Sequence, residues 1–110
     1  MSDEKRIFKY GDNAYELKYN EGTIETIETI TGEGFMRTVT ESNGLFSLVQ
    51  LRAYFTNALY KVGGGRVSPD QASEIFSNAL NAKGFAYLNM LVITQIQHDC
   101  PFFFQTNLPD

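Results

Sequence analysis

The pattern of apolar and polar residues begins with a short region of strand character. Over residues 6–19, strand-favouring residues alternate with polar ones on both sides of Gly11-Asp12-Asn13. These three residue types tolerate the left-handed geometry of a tight turn. The alternation therefore predicts a β-hairpin, in which the strand-favouring residues are Ile7, Tyr15, Leu17 and Tyr19.

Residues 20–32 carry an isoleucine at every third position, at Ile24, Ile27 and Ile30. A strand would place these side chains on alternating faces, whereas a helix gathers them into one stripe. The period outweighs the strand preference of threonine and isoleucine. It predicts a short helix that ends at Gly32, a residue type suited to a left-handed C-cap.

The next stretch predicts a loop and then a long helix. Residues 33–43 are interpreted as a loop, which we expect to expose Phe35 and Met36. Over residues 44–62 apolar side chains recur at helical spacing, and the glycines at 63–65 end the pattern. Ser42 or Asn43 can cap this helix. Its apolar stripe comprises Leu45, Leu48, Val49, Phe55, Leu59 and Val62.

Residues 67–84 carry the clearest helix signals in the chain. Ser68 is a typical N-cap, Pro69 suits the first helical position, and Gln71 completes an S-x-x-Q capping box. Apolar residues follow at amphipathic spacing, and Gly84 ends the helix.

A last helix is predicted over residues 85–98, ended by Pro101. It contains no Asp, Glu, Lys or Arg, so we expect it in the core or beneath a partner. The predicted fold is α+β, with an N-terminal β-hairpin followed by a mainly helical body of about four helices. A chain of 110 residues fits one domain, and we expect flexible ends at 1–5 and 105–110.

Composition and charge narrow the class of partner. The net charge is −4, and residues 1–43 hold nine acidic against five basic side chains. Nucleic-acid binding requires a clustered basic surface, so we expect no nucleic-acid partner. The most apolar run, 85–96, is shorter than the roughly 20 residues that span a bilayer. No signal peptide is visible at residues 1–10, and we expect a cytoplasmic protein with no membrane contact.

The rare residues His98 and Cys100 flank Asp99, which raises the question of an active site. Successive helical side chains point about 100° apart, so the three would not converge on one atom. A zinc site needs three or four ligands, and no independent residue supports a catalytic group. We therefore expect no catalytic residue, no metal and no cofactor. The alternatives are a polar helix end with a half-buried thiol and a small Cys-dependent enzyme.

Two surfaces are candidates for partner binding. Glu21, Glu25 and Glu28 share one helix face, which is either a solvated surface or an acidic patch for a basic partner. A second candidate is the apolar set formed by Phe35, Met36 and the run Phe102, Phe103 and Phe104. Successive side chains of an extended segment alternate, so the three consecutive rings cannot all face inward. They either close the core or are open to a partner.

The order of these motifs resembles that of a known family. The "YELKY" strand (15–19) precedes the Ile/Glu helix, and "VSPDQA" (67–72) starts the next clear helix, followed by "DCPFFF" (99–104). Over residues 6–104 this pattern resembles the tail assembly chaperones of long-tailed (siphovirus-like) bacteriophages and prophages, particularly those of Gram-positive hosts.

The resemblance implies a non-enzymatic protein that binds the tape measure protein and helps to recruit the tail-tube protein. It implies a location in the cytoplasm of the bacterial host and absence from the mature virion. Many copies along one client favour a homo-oligomer, and no small-molecule substrate is implied. Family members are often also made in an extended form through a ribosomal frameshift near the "FFF" run. A structural tail or connector protein retained in the virion is the alternative.

Overall fold

The computed structural model describes residues 7–105. The ends expected to be flexible, 1–5 and all but residue 105 of 105–110, lie outside this range. The three strands are β1 (Ile7–Tyr10), β2 (Asn13–Leu17) and β3 (Leu59–Lys61). The helices are α1 (Glu21–Thr31), α2 (Phe35–Ser42), α3 (Leu48–Thr56), α4 (Pro69–Lys83), α5 (Phe85–Asp99) and a 3-10 turn (Pro101–Phe103). The α+β class is confirmed, with five α-helices where about four were expected.

The predicted hairpin is confirmed and forms two strands of a three-stranded antiparallel sheet. β1 and β2 meet at Gly11, whose φ of +64° is the left-handed geometry that the turn needs. β3 pairs with β2 in a register that places Leu59 opposite Leu17. The predicted helix over 44–62 is therefore wrong beyond Thr56, because pairing with β2 holds residues 59–61 in a strand.

The outer edge of β3 is covered by the chain that follows it. The turn at Gly63–Gly65 folds the backbone back, so that Lys61 N–H donates to Gly65 O at 3.1 Å. Val67 N–H donates to Leu59 O at 3.0 Å, and Tyr60 forms a bridge with Arg66. The backbone groups on this side of the sheet thus have partners within the chain.

The helix predicted over 20–32 is confirmed as α1. Ile24 and Ile27 are buried, whereas Ile30 is 59% exposed, so the apolar stripe is shorter than the pattern indicated. Asn20 caps the first turn, and Gly32 ends the helix with a φ of +75°.

The loop expected over 33–43 is wrong, because α2 forms there. α2 begins after Gly34 and ends at Asn43, whose φ of 58° is left-handed. The side chain of Phe35 is fully buried, which contradicts the expected exposure, while Met36 is 40% exposed. Burial of one large ring stabilises a helix that its threonine-rich sequence alone does not favour.

The start of α3 also differs from the prediction. The capping residue is Ser47, which exchanges hydrogen bonds with Gln50 in a complete capping box. Asn89 of α5 binds the preceding segment, accepting from Phe46 N–H and donating to Gly44 O. Four residues of the expected apolar stripe lie at the surface: Leu45, Leu48, Val49 and Val62.

α4 and α5 form as predicted and complete the core. Ser68 Oγ accepts from Gln71 N–H at 3.4 Å, which confirms the N-cap, and Gly84 separates the two helices. α5 buries Leu88, Val92 and Ile96 but leaves Met90 exposed. The expected central helix is thus buried on one side only.

Candidate partner-binding surface

Four phenylalanines gather where α5 ends against α2, and we call them the C-terminal aromatic cluster: Phe35, Phe102, Phe103 and Phe104. The ring centroids of Phe35 and Phe103 lie 4.7 Å apart, and Phe104 meets Phe35 edge-on at 6.3 Å. Phe35 is fully buried and Phe103 half-buried, whereas Phe102 is 50% and Phe104 38% exposed. Two rings therefore belong to the core and two are presented to solvent.

Local hydrogen bonds hold the exposed rings in place. Pro101 opens a 3-10 turn in which Phe103 N–H donates to Cys100 O at 3.2 Å, and Phe104 N–H donates to Pro101 O at 2.9 Å. The segment Pro101–Phe103 is therefore helical, although an extended segment was predicted. The turn sets the direction in which the side chains of Phe102 and Phe104 leave the backbone.

The buried end of the cluster is fixed by a carboxylate. Phe35 N–H donates to Glu28 Oε2 at 2.7 Å, across the turn between α1 and α2. A negative charge at a helix start is favourable, because the first N–H groups of the helix have no partners within it. Phe35 in turn contacts the rings of Phe46 and Tyr54, so the cluster continues into the core.

The three acidic residues predicted to form a patch on α1 do not share one environment. Glu21 and Glu25 are exposed, but Glu28 is partly buried and binds the start of α2. Glu33 similarly accepts hydrogen bonds from Thr38 and Gln50. Only Glu21 and Glu25 of the three predicted patch residues lie wholly at the surface.

The residues of the possible active site have structural contacts. Asp99 Oδ2 accepts from Tyr19 N–H at 2.9 Å, and its Oδ1 accepts from Gln95 Nε2 at 3.0 Å. His98 Nδ1 lies 2.9 Å from the same Oδ1 atom. A surface cavity of about 380 Å³ borders His98 and Asp99. The Asp99 carboxylate at this cavity already contacts Tyr19, Gln95 and His98.

Cys100 is poorly suited to act as a nucleophile. Its side chain has no exposed area, and burial together with the charge of Asp99 raises the pKa of the thiol to about 11. The reactive form of cysteine is the thiolate, which is scarce at neutral pH under these conditions. Within residues 7–105 no group of three His, Cys, Asp or Glu side chains could hold a metal ion.

Comparison with known proteins found no matching family model, no matching curated protein and no matching solved structure. Among the helices of the described range, none is both long enough and apolar enough to cross a bilayer.

Sequence reasoning missed a groove between β1 and the helices α4 and α5. Its volume is about 480 Å³, and Phe8, Tyr10 and Tyr87 are among the residues that line it. The alternation of Phe8 and Tyr10 on one strand face was visible in the sequence. Their proximity to α4 and α5 was not, because it depends on tertiary packing.

Proposed function

We propose that this chain is a tail assembly chaperone of a long-tailed bacteriophage or prophage, and that it binds the tape measure protein. The observation that carries the proposal is the pair of exposed rings, Phe102 and Phe104, on a base formed by Phe35 and Phe103. Aromatic residues, phenylalanine among them, are enriched in protein interfaces. The order of motifs that resembles the family supports the same assignment.

The surface suits an amphipathic helical client. Such a helix places apolar side chains at intervals of three and four residues, and exposed apolar surface on a partner can cover them. Met36, 40% exposed on α2, belongs to the proposed surface. The exposed carboxylates Glu21 and Glu25 would steer a basic segment of the client during encounter.

The remaining elements of the proposal follow from the resemblance. The protein would act in the host cytoplasm, support tail-tube assembly without catalysis, self-associate along its client and be absent from the finished virion. Mass spectrometry of purified particles tests the last point. Detection of the protein at stoichiometric levels would favour a structural tail or connector protein instead.

The decisive experiment is co-expression with the candidate tape measure protein, read as soluble client and as a co-purified complex. We expect the wild-type chain to increase soluble client, and a Phe102→Ser, Phe104→Ser double variant to lose the complex. Val49→Ser is the matched control, because Val49 is 73% exposed on α3 and lies outside the aromatic cluster.

Circular dichroism of each variant separates loss of binding from loss of fold. A folded double variant that still forms the complex would remove the aromatic cluster from the interface. Failure of the wild-type chain to bind or solubilise the client would overturn the proposed function itself.

A further inference from the structure

A groove lies between β1 and the helices α4 and α5. Its partly exposed apolar lining includes Ala79 and Leu91, next to the fully buried Ile75 and Leu88, and three consecutive strand residues border it: Phe8, Lys9 and Tyr10. Side chains of a strand alternate between faces, so Phe8 and Tyr10 border the groove from one face of the strand, and Lys9 lies between them. The groove therefore lies beside β1, which is an edge strand of the sheet formed by residues 7–105.

The contacts of these side chains agree with this geometry. Phe8 packs on Phe55 with ring centroids 5.6 Å apart, and Tyr10 Oη accepts from Asn78 Nδ2 at 3.1 Å. Both side chains thus lie on the helix-covered face of the sheet. Lys9 lies on the other face and is exposed.

The register of the hairpin directs the backbone groups of Lys9 outward. Tyr10 and Asn13 flank the two-residue turn and form its closing hydrogen-bonded pair, so the next pair, Lys9 and Ala14, is non-hydrogen-bonded. Ala14 O instead accepts from Val62 N–H at 2.9 Å, on the side of β3. Within residues 7–105, β1 pairs on one side only, and the N–H and C=O of Lys9 point away from β2, at the outer edge of the sheet.

The two outer edges of the sheet therefore differ in whether the described chain covers them. The outer edge of β3 is covered by the return of the chain at Gly65–Val67. Folded proteins usually cover or charge their edges, because an open edge recruits further strands. At β1 the described chain provides the charged side chain of Lys9 and an adjacent groove. These two features favour a partner segment that carries negative charge and apolar side chains.

The charges around the groove favour an acidic partner over a second copy. Lys83 is exposed at the groove, with Nζ 5.8 Å from the ring centroid of Tyr87. Glu74 is not among the residues that line the groove, and its carboxylate accepts a hydrogen bond of 3.5 Å from Tyr10 Oη. Pairing of two β1 edges would bring two copies of Lys9 together, and like charges oppose such pairing.

We propose that the edge of β1 binds an extended, acidic segment of another protein by strand addition. The segment would hydrogen-bond to the backbone of Lys9, place alternate apolar side chains over Ala79 and Leu91, and pair its carboxylates with Lys9 and Lys83. Tyr87 of this site precedes Asp99, at the end of α5 next to the C-terminal aromatic cluster, by about 18 Å of helix length. The inference does not depend on the proposed function.

The test uses the full chain and a labelled synthetic peptide of alternating valine and glutamate. We expect saturable binding by fluorescence anisotropy and slower hydrogen exchange at the Lys9 amide. Lys9→Gln and Lys83→Gln should each weaken binding about threefold at low salt. Lys61→Gln, a change at another exposed strand lysine, should leave the affinity unchanged.

Two matched peptides decide between strand addition and other modes. A peptide with lysine in place of glutamate, and one N-methylated on the residues that face β1, should both fail to bind. Equal binding of either peptide would overturn the proposal, as would absence of binding by the acidic peptide. Slow exchange at Lys9 without any peptide would show that the edge is already covered, and would also overturn it.

The same peptide assay is independent of the tape measure experiment. The Phe102→Ser, Phe104→Ser variant should bind the acidic peptide as tightly as the wild-type chain does. Loss of peptide binding in this variant, with the fold intact, would contradict the separation of the two sites.

Discussion

Asp99 at the end of α5 accepts a hydrogen bond of 2.9 Å from the backbone N–H of Tyr19, just beyond β2. The contact joins the two ends of the described chain, since 80 sequence positions separate the residues. Tyr19 Oη also donates to the backbone carbonyl of Tyr54 at 2.7 Å. One residue thus connects the sheet, α3 and α5.

Asp99→Ala is expected to lower the free energy of unfolding by about 1–3 kcal/mol. The change leaves the partly buried Tyr19 N–H and Gln95 amide without their acceptor. Urea denaturation followed by circular dichroism measures the loss. His98→Ala is the control, because His98 is exposed and its removal should change stability by no more than about 0.5 kcal/mol. Equal effects of the two substitutions would contradict a structural role for Asp99.

Glu28→Gln is expected to destabilise the protein by about 1 kcal/mol, because the bond to Phe35 N–H loses its charge. Glu25→Gln on the same helix is the matched control, since Glu25 is exposed and should contribute almost nothing to stability. Thermal melts compare the two. If Glu25→Gln were the more destabilising change, the division of the acidic face would be wrong.

Phe103→Ala and Phe102→Ala should differ in their effect on stability. Phe103 packs on buried Phe35, so its truncation is expected to cost about 2–3 kcal/mol. Phe102 is half-exposed, and its truncation should cost less than about 1 kcal/mol. Chemical denaturation of both variants tests the assignment of one ring to the core and the other to the surface. The reverse order would contradict it.

Stability is expected to fall as the pH rises from 9 towards 11. The pKa of Cys100 is raised in the folded state from an ordinary value of 9.0 to about 11, so the unfolded chain releases this proton first. Release of a proton from the unfolded state alone favours unfolding, and stability decreases with pH. Burial raises the pKa of Tyr19 as well, which adds to the loss at higher pH.

Cys100→Ala isolates the contribution of the thiol, because the variant should show a shallower loss of stability over the same pH range. Reaction of the native wild-type thiol with iodoacetamide at neutral pH should be slow and should accelerate on unfolding. Rapid modification of the folded protein would contradict the burial of Cys100.

The sequence carried local signals that predicted α1 and α4 well. The three-residue spacing of isoleucine identified a helix despite its strand-favouring composition, and Ser68 with Pro69 marked a helix start. In both cases the deciding groups lie within one or two turns of each other. Such signals need no knowledge of the rest of the fold.

The errors arose where distant contacts outweigh local preference. Leu59 continues a helical apolar pattern, but pairing with Leu17 across the sheet places it in a strand. Phe35 lies in the stretch 33–43 for which a loop was predicted, yet its burial against Tyr54 and Phe103 stabilises α2. The sequence likewise could not predict which rings of the "FFF" run are buried, because their burial depends on the position of α2.

The contact between Phe35 and Phe103 also constrains how the protein forms during translation. Phe35 is synthesised well before Phe103, so the side of its ring that packs on Phe103 lacks this contact in the nascent chain until that late residue has been added, even where Phe46 and Tyr54 already contact the ring. Domains usually fold as units, and here the unit is complete only when its C-terminal turn is available. Folding of the helical body is therefore expected to be late in synthesis, and its last step brings together residues from the two halves of the chain.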